Sequence, residues 1–564
     1  MPTLQFKGKN IIWNHHLSVP YHSLEEVSEL GFQSDIESEN LIIEGDNLIA
    51  LKALLPLYGG RVKCIYIDPP YNTGNEGWAY NDNVNSLMIK DWLGKVVSKD
   101  DLTRHDKWLC MMTPRLKFLK ELLSLDGAIF ISIDDNELGN LLTLCDEIFG
   151  PENFVATLPR LTKKAGKTTG SIAKNNDYVV IYRREENLEL SNIEMDEEDY
   201  DEKDDFYEER GGYKLTQTLD YGSIQYSSSL DYEIELYGEI FRPGSVSHEE
   251  MLERQNRNPK SDFCWRWSPK LFEFGLANGF VEVKESRNGK RIYTKTYYNA
   301  TIKKKGSDYE VVLVNREKKP TTLELIQNEF SNDNSKKELK KIFGHIPFEY
   351  SKPSLLTKTL VDLILDKDSV VLDSFAGSGS TMHGVLELNK SDGGNRKCIL
   401  VQMTEATEQE PDKNICRDIT RERNKLAIEK FGYESGFKYL RVGNAIDPET
   451  MLEGELPTYS QFAEYVFYLA TGGHLAEKDN INAENHFVGT LESQAIYLIY
   501  EQDFDKLTRL ALTLDIAEKI IQHSPGKRRT IFAPSCFLDE DYMSEKQIEF
   551  VSVPYNLFER KTAE

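Results

Sequence analysis

The sequence lacks the cysteine pairs that disulfide scaffolds and thiolate zinc sites use. Its seven cysteines, an odd number among 564 residues, are scattered and form no C-x-x-C pair. Stapled secreted domains and thiolate zinc sites need such spacings. We therefore expect a cytoplasmic protein of a reducing compartment, with no metal site.

Long apolar runs are also missing. No stretch approaches the roughly 18–20 apolar residues that span a bilayer. The first residues, MPTLQFKGKNIIWNHH, lack the basic and apolar regions of a signal peptide. We therefore expect no membrane association. With 40% hydrophobic residues the chain can still build large cores, and roughly 100–200 residues per domain would give three or four domains.

Positive charge is scarce overall, since the formal net charge is −25. Taken globally, this value argues against binding nucleic acid, which is a polyanion. The excess is unevenly spread, however, because residues 185–210 hold 14 acids and two bases. Residues 153–174 and 284–305 are basic instead. Local charge matters more than the total because the Debye length is about 8 Å, although a solvated surface is the other interpretation of either basic stretch.

Apolar periodicity predicts a parallel α/β sheet in two separated segments. The predicted elements are strands at 41–44, 62–67, 128–133, 178–182, 369–373 and 398–402 and helices at 46–57, 106–124, 135–149 and 354–365. Between the two segments the alternation stops, and residues 185–345 show short strands and turns. The simplest interpretation is one α/β domain, covered by helices on both faces and interrupted by an insertion.

The predicted organisation therefore has five parts. They are an N-terminal arm (1–40), a first α/β segment (41–184), the insertion (185–345), a second α/β segment (346–447) and a C-terminal module (448–564). In the last part, a strand at 495–500 and a helix at 504–522 predict a small α/β fold of its own.

The first motif with a specific chemistry is Asp68-Pro69-Pro70-Tyr71, directly after an apolar strand. Open α/β sheets bind ligands at the carboxyl ends of their strands. The Asp68 carboxylate and the Pro69 carbonyl, held by the fixed φ of proline, are two acceptors, and Tyr71 adds an aromatic face. Together they suit a planar ring with an exocyclic NH₂ group. D-P-P alone would fit a rigid turn, whereas the complete motif after a strand is much more specific.

The second motif is the strand–turn–helix segment DSFAGSGST at 373–381. Gly377 and Gly379 let the backbone approach a ligand closely, and the helix that follows offers free N–H groups. The segment is not a phosphate-binding P-loop, and it lacks the third glycine of a dinucleotide fingerprint. Glu405, after the next strand, is placed to accept hydrogen bonds from ribose hydroxyls. A surface-loop acid is the alternative.

D-P-P-Y ahead of an F-x-G-x-G turn resembles the amino-group DNA methyltransferases, and this motif order is that of their β group. Four segments are similar to the modification subunit of type III restriction–modification systems. They are GDNLIALKALLPLYGGRVKCIYIDPPYNTGN (45–75), RLKFLKELLSLDGAIFISIDDNELGNLLTLCDEIFGPENF (115–154), KPSLLTKTLVDLIL (352–365) and KCILVQMTEAT (397–407). The resemblance implies a Rossmann-like methyltransferase sheet with circularly permuted motif order. Residues 41–184 would be its catalytic half, 185–345 an inserted target-recognition domain and 346–447 its cofactor-binding half.

The resemblance implies S-adenosylmethionine as the cofactor. The residues that would contact it are Asp373, Phe375, Gly377 and Gly379. Glu405 would lie at the ribose, although Gln402 stands where many relatives carry Glu, so both are candidates. Asp46 would lie near the adenine, and it is also placed to cap the helix that follows it. Lys352-Pro353 resembles the motif that opens the helix before the cofactor strand.

The implied reaction transfers a methyl group to adenine N6 in duplex DNA. The catalytic residues would be Asp68, Pro69, Pro70 and Tyr71. Asp68 and the Pro69 carbonyl, both accepting from the amine, would favour a pyramidal nitrogen aimed at the sulfonium methyl. The base must be flipped out of the duplex and stacked on Tyr71. A cytosine-N4 enzyme and a DNA-binding specificity subunit without activity are the alternatives.

DNA contacts are expected from the two basic stretches and from Trp265-Arg266-Trp267 in the insertion. The candidates are Lys163, Lys164, Lys167, Trp265, Arg266, Lys290 and Arg291. The segment around Trp265 would equally fit a small tryptophan-anchored core. The acidic residues 185–210 are expected to form a flexible surface loop away from DNA. The resemblance further implies double-stranded DNA, a restriction (helicase–nuclease) subunit and a second copy of the chain as partners, with the insertion and the C-terminal module as docking regions.

Overall fold

The computed structural model describes residues 3–34, 40–73, 104–164, 172–195, 197–222, 225–286, 289–364, 366–406, 410–446, 451, 456–475 and 481–553. The chain forms two compact units. The first combines Met1–Ser191 with Thr321–Glu564, and the second is Asn192–Pro320. No helix among these described residues is long and apolar enough to cross a membrane.

The first unit is built on a sheet of nine strands. In chain order they are β1 (Tyr21–Glu26), β2 (Leu41–Glu44), β3 (Val62–Ile67), β4 (Leu123–Ile133), β5 (Phe154–Leu161), β6 (Asn176–Arg183), β7 (Val370–Asp373), β8 (Lys397–Gln402) and β9 (Lys438–Ile446). Their order across the sheet is β1-β9-β2-β8-β7-β3-β4-β6-β5. The six from β9 to β4 are parallel, and antiparallel strands close both edges. The predicted parallel α/β sheet is confirmed.

Helices cover this sheet because its central strands are apolar on both sides. Cys64, Ile65 and Ile67 in β3 have no exposed surface, which is typical of parallel strands buried on both faces. The main helices are α1 (Asn47–Tyr58), α2 (Arg104–Leu122), α3 (Leu138–Phe149), α4 (Asn332–Phe343), α5 (Ser354–Asp362), α6 (Ser380–Asp392) and α7 (Glu422–Phe431). Short helices at Lys9–Ile12 and His15–Ser18 precede β1.

The strand order places a crevice between β7 and β3. From β7 the chain passes through α6 to β8 on one side, and from β3 it passes through α2 to β4 on the other. Neighbouring parallel strands whose connections leave in opposite directions form a topological switch point, where open α/β sheets bind ligands. Both predicted motifs follow these two strands, so they lie at the same edge of the sheet.

The second unit, Asn192–Pro320, has a small core of its own around Trp265, Phe272 and Ile292. Its strands are Ile193–Glu194, Tyr213–Thr218, Asp220–Tyr221, Ile234–Leu236, Glu239–Phe241, Cys264–Trp265, Val281–Ser286, Gly289–Tyr297, Ala300–Lys305, Asp308–Leu313 and Glu317–Lys318, and its helices are Tyr207–Arg210, His248–Arg257 and Pro269–Ala277. Residues 321–345, placed in the insertion by the sequence, lie in the first unit. The five predicted domain boundaries stay a prediction.

The acidic run is not a free surface loop over its second half. Glu202 accepts from Lys284 at 2.8 Å, and Asp204 accepts from Lys295 at 2.6 Å. Arg210 is buried among aromatic rings, 3.9 Å from the centroid of Phe206. The acidic run thus neutralises part of the basic stretch within this unit, a pairing that a count of charges along the chain does not reveal.

The C-terminal residues form a second sheet, of β10 (Phe487–Leu491), β11 (Gln494–Leu498), β12 (Arg528–Ala533) and β13 (Ile548–Ser552). The helices are α8 (Tyr459–Thr471), α9 (Leu514–His523), Phe504–Leu507 and Glu540–Glu545. The predicted helix 504–522 is wrong in its middle, because Leu512 leaves the helical path to pair with Cys536. This sheet belongs to the first unit and shares a core with β1 of the nine-stranded sheet, where the rings of Tyr21 and Tyr465 stack at 4.3 Å.

Candidate active site

Asp68 lies at the carboxyl end of β3, where the apolar strand gives way to Pro69 and Pro70. The carbonyl of Pro70 accepts a hydrogen bond from the indole N–H of Trp108 at 2.7 Å. In the described part of the chain, no donor reaches the carbonyl of Pro69. The two expected acceptors, the Asp68 carboxylate and the Pro69 carbonyl, therefore follow each other at one strand end, and the Pro70 carbonyl is used to hold the turn.

Lys352 is a partner of Asp68 to which the sequence assigned no role. Its Nζ donates to the two carboxylate oxygens of Asp68 at 2.7 and 2.6 Å. The same Nζ lies 4.9 Å from the ring centroid of Tyr71, and the lysine side chain is 9% exposed. The resemblance of Lys352-Pro353 to a known motif was the only sign in the sequence that Lys352 has a role. Its contact with Asp68 could not be predicted, because no local pattern shows that two residues so far apart in the chain meet.

Tyr71 packs with its ring partly buried against the main core. Its hydroxyl donates to Asp177 in β6 at 3.0 Å. Asn72 has a left-handed φ of 58°, and its side-chain amide donates to the buried Glu137. These contacts fix the chain directly after the D-P-P-Y motif, and neither Asp177 nor Glu137 was found from the sequence.

Asp373 ends β7, the strand next to β3, and organises the glycine turn. Its Oδ1 accepts from the Phe375 N–H at 2.9 Å, and its Oδ2 accepts from the Thr381 hydroxyl at 2.6 Å. Burial raises the pKa of Asp373 to about 7, aided by the negative charge of Asp68 and opposed by these hydrogen bonds and by Lys352. Both oxygens of Asp373 are thus engaged in shaping the turn.

The two glycines of the turn, which the sequence predicted to allow a close approach of the backbone to a ligand, adopt left-handed backbone conformations. Gly377 has a φ of 50° and Gly379 a φ of 78°, a conformation that costs other residues strain. At Gly379 a Cβ would also lie 2.5 Å from Nδ2 of Asn424. Ser374 beside them is buried, and its hydroxyl finds no partner among the residues that the structure describes.

Gln402, at the end of β8, supports the same turn. Its Oε1 accepts from the Gly377 N–H at 2.7 Å, and its Nε2 donates to Glu405 at 3.1 Å. Glu405 itself adopts a left-handed φ of 58°. The structure therefore brings both ribose candidates together, with Gln402 holding the turn and Glu405 held beside it.

Asp46 follows β2, the strand next to β8, and caps α1. Its Oδ1 accepts from the Leu48 N–H at 2.7 Å and from Arg115 at 3.3 Å. The neighbouring Asn47 donates to the Ser374 carbonyl at 2.9 Å. The capping role of Asp46 is confirmed. The hydrogen bond from Asn47 to Ser374 ties the start of α1 to the glycine turn. A role of Asp46 near an adenine stays a prediction.

The predicted DNA-binding residues are divided between the two units, each of which is described by itself. In the first unit Lys163 and Lys164 are exposed, whereas Lys167 falls outside the described residues. Arg160, the first base of that stretch, is fully buried and ion-paired with Asp177. It is therefore unavailable to a phosphate.

In the second unit the tryptophan-anchored core fits better than a DNA contact for Trp265. This side chain is 2% exposed, and its indole N–H donates to the Tyr232 carbonyl at 2.7 Å. Arg266 donates to Gln217, Lys290 to Glu239 and Arg291 to Asp220. A DNA phosphate would have to compete with these partners, so the roles of the three cations stay predictions.

An acceptor motif and a glycine turn at adjacent strand ends of a parallel sheet are typical of α/β domains that bind a nucleoside-type cofactor at their switch point. A comparison with known protein families agrees with an α/β domain of this kind and identifies the family. The family described as DNA methylase matches residues 62–441. The chain belongs to this DNA methylase family, which confirms the resemblance seen in its motifs.

Relatives with described names are similar over most of the same region. The Mod subunit of the type III restriction–modification enzyme EcoPI from Escherichia phage P1 is 32% identical over 65% of this chain and 58% of that protein. The StyLTI Mod subunit from Salmonella typhimurium is 31% identical over 68% of this chain and 56% of that protein. The type II methyltransferase M.KpnI from Klebsiella pneumoniae is 31% identical over 65% of this chain and 81% of that protein. The chain thus spans less than two thirds of the two Mod subunits' length.

Proposed function

We propose that this chain is an S-adenosylmethionine-dependent DNA methyltransferase that acts on the exocyclic amine of a flipped base. The observation that carries the proposal is the placement of Asp68 and the Gly377–Gly379 turn at the carboxyl ends of β3 and β7. Neighbouring strands lie roughly 4.8 Å apart, so a cofactor on the turn and a base at Asp68 would be in reach of each other. Membership of the DNA methylase family supports the same activity.

The residues present fit S-adenosylmethionine. The left-handed turn at Gly377 and Gly379 presents backbone without side chains, and the buried Ser374 hydroxyl lacks a partner among the described residues. Glu405 and Gln402 are acceptors suited to ribose hydroxyls. When bound, the cofactor supplies an electrophilic methyl group on a sulfonium, whose positive charge suits an edge that carries Asp68 and Asp373.

The chain's own residues would bind and orient the target amine. The Asp68 carboxylate and the Pro69 carbonyl would each accept a hydrogen bond from one N–H group of this amine. These hydrogen bonds localise the nitrogen lone pair and aim it at the methyl group. Tyr71 offers its ring face to the base. Lys352 keeps a positive charge beside Asp68, so the amine must share the carboxylate with the ammonium or displace it.

Adenine N6 is our first choice of target, and cytosine N4 is the second. Both bases present an exocyclic amine next to a ring nitrogen, so the acceptor pair alone does not separate them. An aspartate at position 68 and the similarity to Mod subunits favour adenine.

The similarity to Mod subunits also suggests how the activity is used. We propose that the chain gives DNA specificity to a type III restriction–modification complex in the cytoplasm, with double-stranded DNA, a restriction subunit and a second copy of the chain as partners. The unit Asn192–Pro320 would read the DNA sequence. A specificity subunit that binds DNA without methylating it is the competing function.

The test is methyl transfer to unmethylated genomic DNA, followed by digestion and mass spectrometry of the nucleosides. The wild-type protein would be compared with Asp68→Ala, which removes the proposed acceptor. Asp515→Asn is the matched control, because it neutralises a carboxylate that is 77% exposed in α9.

We expect N6-methyladenine from the wild type and from Asp515→Asn but not from Asp68→Ala. N4-methylcytosine would overturn the choice of base and leave the proposed chemistry in place. A wild-type protein that binds labelled S-adenosylmethionine and retains DNA but forms no methylated base would support the specificity subunit instead.

A further inference from the structure

The hydroxyl of Tyr71 is held by a carboxylate that none of the recognised motifs contains. It donates to Oδ2 of Asp177 at 3.0 Å. Asp177 lies in β6, two strands away from β3 in the sheet, and is 3% exposed. Burial, with the negative charge of Asp177 next in size, raises the pKa of Tyr71 well above its ordinary value. The phenol therefore stays protonated and remains a hydrogen-bond donor.

Asp177 is in turn fixed by Arg160 of the adjacent strand β5. Nε of Arg160 donates to Oδ1 of Asp177 at 2.8 Å, and Nη2 donates to Oδ2. Nη1 donates to the Phe330 carbonyl at 2.7 Å, and Asn332 accepts from both Nη1 and Nη2. Every nitrogen of this guanidinium thus has an acceptor, although the side chain has no exposed surface.

The hydrogen bonds between Arg160 and Asp177 fix the orientation of the two side chains relative to each other. A planar guanidinium that meets a carboxylate through two parallel hydrogen bonds fixes the position of both carboxylate oxygens. The Tyr71 hydroxyl binds one of these oxygens. The ring of Tyr71, anchored at its backbone and at its hydroxyl, therefore cannot swing about its side-chain bonds without breaking a hydrogen bond to a charged group.

We propose that Asp177, held by Arg160, is a positioning residue that sets the plane of the Tyr71 ring for stacking on the target base. This inference rests on the proposed function, because it needs a base to stack. Stacking tolerates any base but needs the ring face in a defined place. A misplacement of about 1 Å can cost about 100-fold in rate.

The test is a double-mutant cycle with Tyr71→Phe, Asp177→Asn and the double variant. Two quantities are measured for each: the single-turnover rate of methyl transfer to a duplex oligonucleotide, and the fluorescence of 2-aminopurine at the target position. Tyr71→Phe keeps the ring and leaves Asp177 paired with Arg160. Tyr178→Phe is the matched control, since it removes an exposed tyrosine–aspartate hydrogen bond of the same 3.0 Å length, to Asp135.

We expect Tyr71→Phe and Asp177→Asn each to lower the rate and the fluorescence change by roughly 10- to 100-fold. In the Tyr71→Phe background, Asp177→Asn should add less than about twofold, because the residues act through one hydrogen bond. Tyr178→Phe should behave as the wild type.

Equal losses from Asp177→Asn in both backgrounds would overturn the inference and show a purely structural role. A Tyr71→Phe rate within about twofold of the wild type would overturn it as well, and this variant decides the matter even if Asp177→Asn does not fold. Failure of the proposed function would look different, because the wild-type protein itself would then show no methyl transfer.

Discussion

Lys352 donates to both carboxylate oxygens of Asp68, at 2.7 and 2.6 Å, across 284 residues of chain. This ion pair joins the two segments of the interrupted sheet at the point where their motifs meet. It also places one cation beside two carboxylates, because Lys352 and Asp68 act on the pKa of Asp373 in opposite directions. The charge state of this edge follows from the balance among the three groups.

The first prediction concerns stability against pH. The pKa of Asp373 is raised to about 7, mainly by burial, from about 4 in an unfolded chain. The folded state then binds a proton that the unfolded state releases, so the free energy of unfolding falls by about 1.4 kcal/mol per pH unit from pH 4 to 7. Above pH 7 the free energy of unfolding falls no further on account of Asp373. The Asp373→Asn variant should lack this pH dependence, which denaturant melts of both proteins at pH 5 to 8 measure. Parallel curves of unfolding free energy against pH for the two proteins would contradict the prediction.

The second prediction concerns cofactor affinity. The cationic cofactor favours ionised Asp373, so the affinity for S-adenosylmethionine should weaken by up to about tenfold per unit as the pH falls below about 7. Because Lys352 lowers the pKa of Asp373, Lys352→Met should move this weakening to higher pH. Calorimetric titration at several pH values checks both statements. Lys358→Met, which breaks a more exposed pair with Glu387, should leave the profile in place.

The third prediction concerns the glycine turn. Gly379→Ala places a Cβ at a φ of 78° and 2.5 Å from Nδ2 of Asn424. It should cost about 1–3 kcal/mol of stability and weaken cofactor binding. Gly393→Ala is the control, because this glycine has a similar φ of 69° at the end of α6 with nothing within 4 Å of its Cβ. Equal cofactor affinity in the two variants would argue against a turn that cradles the cofactor.

The fourth prediction concerns the exposed lysines after β5. If Lys163 and Lys164 contact phosphates, Lys163→Ala and Lys164→Ala should each reduce the slope of log K against log salt by about 0.9. Fluorescence anisotropy with duplex DNA over a salt series gives these slopes. Lys519→Ala removes a lysine that is 73% exposed in α9 and should not change the slope. Unchanged slopes for all three would remove both lysines from the DNA interface.

The parallel sheet and its two motifs were predictable because their signals are local. An apolar strand, a D-P-P-Y end and an F-x-G-x-G turn each occupy fewer than ten residues, and backbone chemistry dictates their shapes. The partners of these motifs were not predictable. Lys352 meets Asp68, and Asp177 meets Tyr71, only because strand order brings distant segments together, and no periodicity in the chain encodes that order.

Residue type alone was a poor guide to function at positions where burial decides what a side chain contacts. Trp265 and Arg160 belong to residue types that contact DNA, yet each satisfies its polar atoms inside a core. The acidic run lies partly against the basic stretch for the same reason, since charges of opposite sign that share a fold neutralise each other. Such pairings are three-dimensional facts, so single-sequence reasoning could only leave both alternatives open.

The central claim is that Asp68 and the glycine turn form one site with separate tasks. The most direct test is to measure, on the same Asp68→Asn sample, the affinity for S-adenosylmethionine and the single-turnover rate of methyl transfer to DNA. We predict cofactor affinity within about threefold of the wild type and a transfer rate at least about 100-fold lower, because one acceptor of the target amine is weakened. A transfer rate equal to that of the wild type would contradict the claim.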